Sequence, residues 1–141
     1  MAIGTIALVA AALFTGAAFY INFAEHPARM SLTLTEALRQ WKPSHDRALQ
    51  MQLMLVIVSA TSGLLAAIVS GDWRWLLGAF AIAANVPYTL IVMMPTNNAL
   101  KETAPLEVGE TTQVDLEKWG QMHAARTGLG AFALLVYCWA L

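Results

Sequence analysis

The chain has 141 residues, of which 58% are hydrophobic and 12% charged, with a net charge of −1 at pH 7. A soluble domain carries about 25% charged residues, so this chain has too few to coat a water-facing surface. The near-neutral balance gives no basic patch for nucleic acid, and a single cysteine, Cys138, excludes an internal disulfide and a Cys-rich metal motif.

The apolar residues gather into four blocks, which predict spans over about 3–25, 47–69, 73–95 and 117–140. Each block offers roughly 20 residues, enough to cross a hydrocarbon core of about 30 Å. The expected fold is all-α: one integral-membrane four-helix antiparallel bundle over 1–141, with a short interfacial helix between the first two spans.

No Lys or Arg precedes the first block, and the block is longer than a signal-peptide core. It is therefore expected to be a retained membrane helix. It ends in Asn22, Glu25, His26, Pro27 and Arg29. If the helix continues through Pro27, a backbone carbonyl near position 23 is freed.

In the first connection Leu34, Ala37, Leu38 and Trp41 follow i, i+3, i+4, i+7, and Thr33 with Glu36 fits a capping box. This pattern predicts the short helix in the interface plane, stopped at Lys42-Pro43. Ser44 is then the expected cap of the second span, with Asp46 in its first turn.

The second and third spans are joined by Ser70-Gly71-Asp72, a tight hairpin, followed by Trp73 and Trp75 as an aromatic belt. Asn85 lies near the middle of the third span, before Pro87 and Tyr88. Asn85 reads as glue across the bundle, and Tyr88 either packs structurally or lines the floor of a pocket.

Residues 95–112, with Pro95, Asn97, Asn98, Pro105 and Gly109, read as a loop. Thr112 with Asp115 offers a cap, so the last helix is expected to start near Gln113. Cys138 is expected to pack as a small hydrophobe in that helix. Gly16, Ala17, Ala18, Gly128 and Gly130 are expected to let helices approach closely.

Arg29, Arg39, Lys42, Arg47, Lys101 and Lys118 fall on one side of the predicted spans, and only Arg74 on the other. The positive-inside rule then puts both termini outside the cytoplasm, in an inner or plasma-type membrane.

Alternating helices bring Asn22, Glu25, His26 and Arg29 to the same level as His45, Arg47, Gln50, Thr96, Asn97, Trp119, His123 and Arg126. All three histidines lie there. Arg126 is fifteen steps from Leu141, about 22 Å along a helix, which places it about 8 Å inside the core. Its guanidinium either snorkels or pairs with Glu25, Asn22 or a bound acid. Trp119, His123 and Arg126 share one helix face. These groups form either a pocket or a set of solvated helix ends.

Met51, Met54, Met93 and Met94 have no regular spacing and read as core filler. The histidines and Glu25 admit a metal or haem reading, yet no H-x-x-x-H or HExxH spacing occurs.

The runs "LFTGAAFYINFAEHPARM", "WKPSHDRALQMQ", "NVPYTLIVMMPTNNAL" and "KWGQMHAART" resemble the family of small four-helix membrane proteins that includes the fungal anthrone oxygenases. The resemblance implies oxidation of a hydrophobic phenolic compound by O₂ to a quinone, without an added cofactor. It implies that His123 is the leading base, His26 the second, and Arg126 the stabiliser of the substrate anion. Trp119 or Trp41 would stack on a flat substrate and Asn97 would orient substrate or O₂. Asn22, Glu25, His45 and Tyr88 complete the expected lining. His45 departs from the family pattern, where an aromatic residue can follow Pro-Ser.

The expected partners are a hydrophobic small molecule and the bilayer, with a homo-oligomer as an open alternative. Two other functions compete: a binding or accessory protein for a lipid, quinone or partner, and a haem or metal redox protein using the histidines.

Overall fold

A computed structural model describes residues 2–141. They form four long helices: α1 (Ala2–Met30), α2 (Leu34–Ser70), α3 (Trp73–Glu102) and α4 (Glu110–Ala140). A single 3₁₀ turn, Pro105–Glu107, lies between the last two, and the described residues contain no strand. α1, α2 and α3 are long and apolar enough to cross a membrane. The first half of α4 carries Asp115, Glu117, Lys118, His123 and Arg126, which lowers its hydropathy.

α1 packs against α2 and α4, and α3 packs against the same two, so the four stand around a square. At one end Ser59 donates to the Ala7 carbonyl (2.9 Å) and Tyr137 donates to that of Ser59 (3.1 Å). At the other end Asn22 donates to the Gly120 carbonyl (2.9 Å) and Tyr88 to that of Met122 (2.9 Å).

Large apolar side chains cover the outside, and a set of polar ones is buried beside the apolar core. Ile6, Leu13, Phe23, Met54, Ile68, Phe80, Ile91 and Leu135 point outward, while His26, Arg29, His45, Gln52, Asn85, Asn97, His123 and Arg126 are buried. Lipid removes most of the hydrophobic drive between helices, leaving close packing and buried hydrogen bonds to hold them. A Cβ at Gly130 would stand 2.8 Å from Phe14, so α4 meets α1 closely there. Gly16 and Gly128 have open space where a Cβ would lie, so they do not serve the close packing expected of them.

Proline shapes two helices in the same way. Pro27 and Pro95 have no N–H to give a carbonyl four residues back. Just before each, the helix widens into a π turn: Ile21–Glu25 and Thr89–Met93. The His26 N–H reaches back five residues to Ile21, and the Met94 N–H to Thr89. Helix therefore continues through both prolines.

Several local expectations are corrected. Pro43 sits inside α2, so residues 34–42 begin one 37-residue helix rather than forming a separate interfacial one. The predicted Thr33–Glu36 capping box starts it, and Ser44 caps nothing. Residues 95–102 are helical, which shortens the loop to 103–109. α4 starts at Glu110, with the Thr112 hydroxyl accepting from the Gly109 N–H (3.2 Å). Asn85 bonds within its own helix, donating to the Ile82 carbonyl (3.1 Å). Cys138 is exposed on the outer face.

Candidate active site

The π turn of α1 and the helical turn after Pro27 turn Asn22, Glu25, His26 and Arg29 toward the interior. Arg29 is 3% exposed and its guanidinium is fully engaged. Nη2 donates to Glu25 Oε1 (2.9 Å), Nη1 to His26 Nδ1 (3.0 Å) and Nε to Gln40 Oε1. Glu25 Oε1 also accepts from Gln40 Nε2 (3.1 Å) and from the Ser44 hydroxyl. A buried cation is tolerable only when paired and hydrogen-bonded. Glu25, Gln40 and Ser44 meet that need and tie α1 to α2.

Beside this network is an aromatic cluster. The Trp41 and His45 rings stack at 4.5 Å, and Trp119 meets Trp41 edge-on at 5.8 Å. Trp119 also lies 5.1 Å from His26 and 4.9 Å from His123. Its face carries the Arg29 guanidinium at 5.6 Å. The His45 ring thus covers one face of Trp41, and Trp119 packs among His26, His123 and the Arg29 guanidinium while bordering the hollow described below. Neither indole N–H makes a hydrogen bond to a described residue.

His123 has a defined tautomer. The Asn22 Nδ2 faces the Gly120 carbonyl, which can only accept, so Asn22 Oδ1 points to the opposite side. There it accepts from Thr127 Oγ1 (2.8 Å) and from His123 Nδ1 (2.8 Å). The His123 proton therefore sits on Nδ1 and leaves Nε2 with its lone pair, an assignment from the bonding network. His26 is the reverse case: Nδ1 accepts from Arg29, and a Cβ at Gly120 would stand 2.6 Å from its Nε2. His26 is wedged in place.

Arg126 is 5% exposed and has no ion pair or hydrogen bond among the described residues. Its guanidinium lies 5.7 Å from the Phe14 ring centroid. Glu25 is paired with Arg29, so the alternative pairing of Glu25 with Arg126 is not realised.

Two hollows meet at Arg126. The first holds about 10 Å³ and is bordered by Arg29, His45, Gln52, Trp119, His123 and Arg126. That is room for one water-sized molecule. The second holds about 230 Å³ between α2 and α3, with Asn85 and Arg126 among its otherwise mostly apolar lining. Leu49 borders both.

Of the residues predicted from sequence, His45, Trp119, His123 and Arg126 border the small hollow, Asn22 holds His123 from behind, and Trp41 stacks on His45. Glu25 and His26 border neither hollow but back Arg29. Tyr88 turns its hydroxyl to the α4 backbone. Asn97 is 1% exposed with both amide atoms unbonded among the described residues, and it borders neither hollow. Gln52 was not anticipated. It lies seven residues after His45, two helical turns on the same face, and a glutamine inside an apolar block was the signal. Among the described residues no group of three or more His, Cys, Asp or Glu side chains is placed to hold a metal ion.

No curated protein and no solved structure matches the chain. Residues 41–136, which include the His45–Gln52 face, Asn85, Trp119, His123 and Arg126, match the family model described as anthrone oxygenase, and the chain belongs to that family.

Proposed function

We propose that the chain is a membrane-embedded oxygenase that oxidises a hydrophobic phenolic, anthrone-like compound with O₂ at His123 and Arg126; the small hollow beside them holds one water-sized molecule, so Leu49 and Gln52, which close it, move aside for the substrate. The observation that carries the reading is the pairing of His123, its Nδ1–H tied to Asn22, with a buried Arg126 that has no counter-ion among the described residues. A neutral imidazole with Nε2 free is a general base. An unpaired guanidinium in a dry site favours an anion arriving with the substrate.

His123 Nε2 takes a proton from the CH₂ between two rings, and the electron pair spreads onto the ring oxygen beside Arg126. The carbanion forms a C–O bond to O₂, and the peroxide takes the proton back from His123. Removal of the second C–H proton then breaks the O–O bond, forms C=O and releases water. In sum, CH₂ and O₂ become C=O and H₂O. His26, locked between Arg29 and Gly120, serves this reading as a positioning residue rather than a second base.

The membrane setting is an antiparallel bundle with the site near the cytoplasmic end and both termini outside. The apolar outer face and the distribution of Lys and Arg support it. A second reading draws on the same unpaired guanidinium: a non-enzymatic protein anchoring an anionic lipid head group, quinone or partner at Arg126. Oxygen uptake separates the two. Protein in lipid nanodiscs, supplied with 1,8-dihydroxy-9-anthrone, is expected to consume O₂ above the buffer rate and to lose this with His123→Ala and with Arg126→Gln. Saturable binding without uptake would leave the second reading.

A further inference from the structure

The larger hollow has features that the reaction centre does not explain. Its walls are Leu53, Val56, Val86 and Leu90. Leu53 and Leu90 are 43% and 58% exposed on the outer face of α2 and α3, so its mouth opens sideways. In a chain with an apolar exterior, that direction is the acyl-chain region rather than water. Two buried polar residues, Asn85 and Arg126, border it among these apolar walls. Asn85 is 1% exposed, its amide N–H is spent on Ile82, and its Oδ1 accepts from nothing described. Arg126 Nε is likewise without a described acceptor. One orphan acceptor and one orphan donor thus belong to two buried residues that border the same apolar cleft, and each is unfavourable while unpaired.

We propose that this hollow is a lateral loading site, entered from the bilayer between α2 and α3, for an apolar molecule ending in a hydroxyl. The hydroxyl donates to Asn85 Oδ1, and its oxygen accepts from Arg126. Its volume is below the ~300–1,000 Å³ of a drug-sized pocket, so one or two rings enter while the rest of a larger molecule stays in lipid. Leu49, shared by both hollows, is the partition that a bound molecule passes to reach His123. The proposal rests on the oxygenase reading for its purpose, but its binding step is measurable without turnover.

The test is equilibrium dialysis of 2-naphthol against protein in nanodiscs, with empty nanodiscs as the partition control. Saturable binding is expected, with 2-methoxynaphthalene, which cannot donate, weaker by about tenfold or more. Leu90→Trp, which fills the mouth, is expected to weaken 2-naphthol binding by about tenfold or more, while the adjacent outward-facing Ile91→Trp stays within about twofold. Asn85→Leu is expected to erase the preference for the hydroxyl. Equal binding by the two tryptophan variants, no saturable binding, or a preference that survives Asn85→Leu would each overturn the loading site. Binding that behaves as expected in a protein that never consumes O₂ would overturn the oxygenase reading alone. Uptake that is indifferent to Leu90→Trp would overturn the port alone.

Discussion

The Nδ1 of His123 lies 2.8 Å from the Oδ1 of Asn22, a residue 101 positions earlier on a different helix. Asn22 cannot turn its amide around without facing its N–H₂ toward His123 and its oxygen toward the Gly120 carbonyl. The backbone of α4 thus selects the tautomer of a side chain on α4 through an amide borrowed from α1.

Removing that amide gives the first prediction. Asn22→Leu leaves His123 free to exchange tautomers and strands the Thr127 hydroxyl. Stability should fall by about 1–3 kcal/mol. Turnover should fall by about tenfold or more, less than the loss in His123→Ala, with KM little changed. The ¹⁵N shifts of the His123 ring should show a mixed tautomer. Unaltered shifts and unaltered rate would mean Asn22 positions nothing.

The Glu25–Arg29 pair gives the second. Arg29 is buried and Glu25 is partly exposed. Glu25→Ala leaves a cation enclosed, which costs about 3–5 kcal/mol for a fully buried pair, and the partial exposure of Glu25 puts this case at the lower end. Glu25→Gln should cost less, because the amide oxygen still accepts. Glu25→Gln with Arg29→Met should recover part of the loss relative to Glu25→Ala. Thermal unfolding in detergent checks the order of the three variants.

Two glycines on α4 give a paired prediction. At Gly120 a Cβ would stand 2.6 Å from both Cδ2 and Nε2 of His26, while Gly128 meets nothing within 4 Å. Gly120→Ala should cost about 1–3 kcal/mol through overpacking and shift the His26 ring signals. Gly128→Ala should gain up to about 1 kcal/mol from helix propensity. Equal effects at the two sites would show that His26 is not wedged against α4.

A pH prediction concerns the hairpin between α2 and α3. Asp72 accepts from the Arg74 N–H (3.0 Å) and from its guanidinium (2.6 to 3.0 Å). Hydrogen bonds from Arg74 hold the Asp72 carboxyl below the usual carboxylate range. A depressed folded-state value contributes stability above the unfolded value, and that contribution is lost as pH falls through the folded one. The midpoint difference between wild type and Asp72→Asn should be constant from neutral pH to about pH 5 and shrink below about pH 4. A difference that grows on acidification would contradict the sign.

Helix count and the polar level were legible because they rest on block length and alternating direction, which side-chain detail does not alter. The Thr33–Glu36 cap was legible because it is local. Proline was where sequence reading failed. From sequence, Pro43 and Pro95 predict breaks, since each removes a backbone donor. The helix instead ran on through Pro43 and widened by one residue before Pro95, which keeps Thr96 and Asn97 in the core. The partner of Arg126 was open for a different reason. By level Glu25 is within reach of Arg126, but Arg29 stands one turn away on the same helix, and with Gln40 and Ser44 beside it Glu25 pairs there.

Oxygen transfer at His123 is tested most directly by supplying ¹⁸O₂ and 1,8-dihydroxy-9-anthrone to nanodisc-embedded protein and following label in the quinone carbonyl. The expected result is one ¹⁸O per quinone, formed well above the buffer rate by the wild type and slowed by about 10²-fold or more in His123→Ala. A wild-type rate no faster than buffer, or a His123→Ala rate equal to wild type, would contradict it.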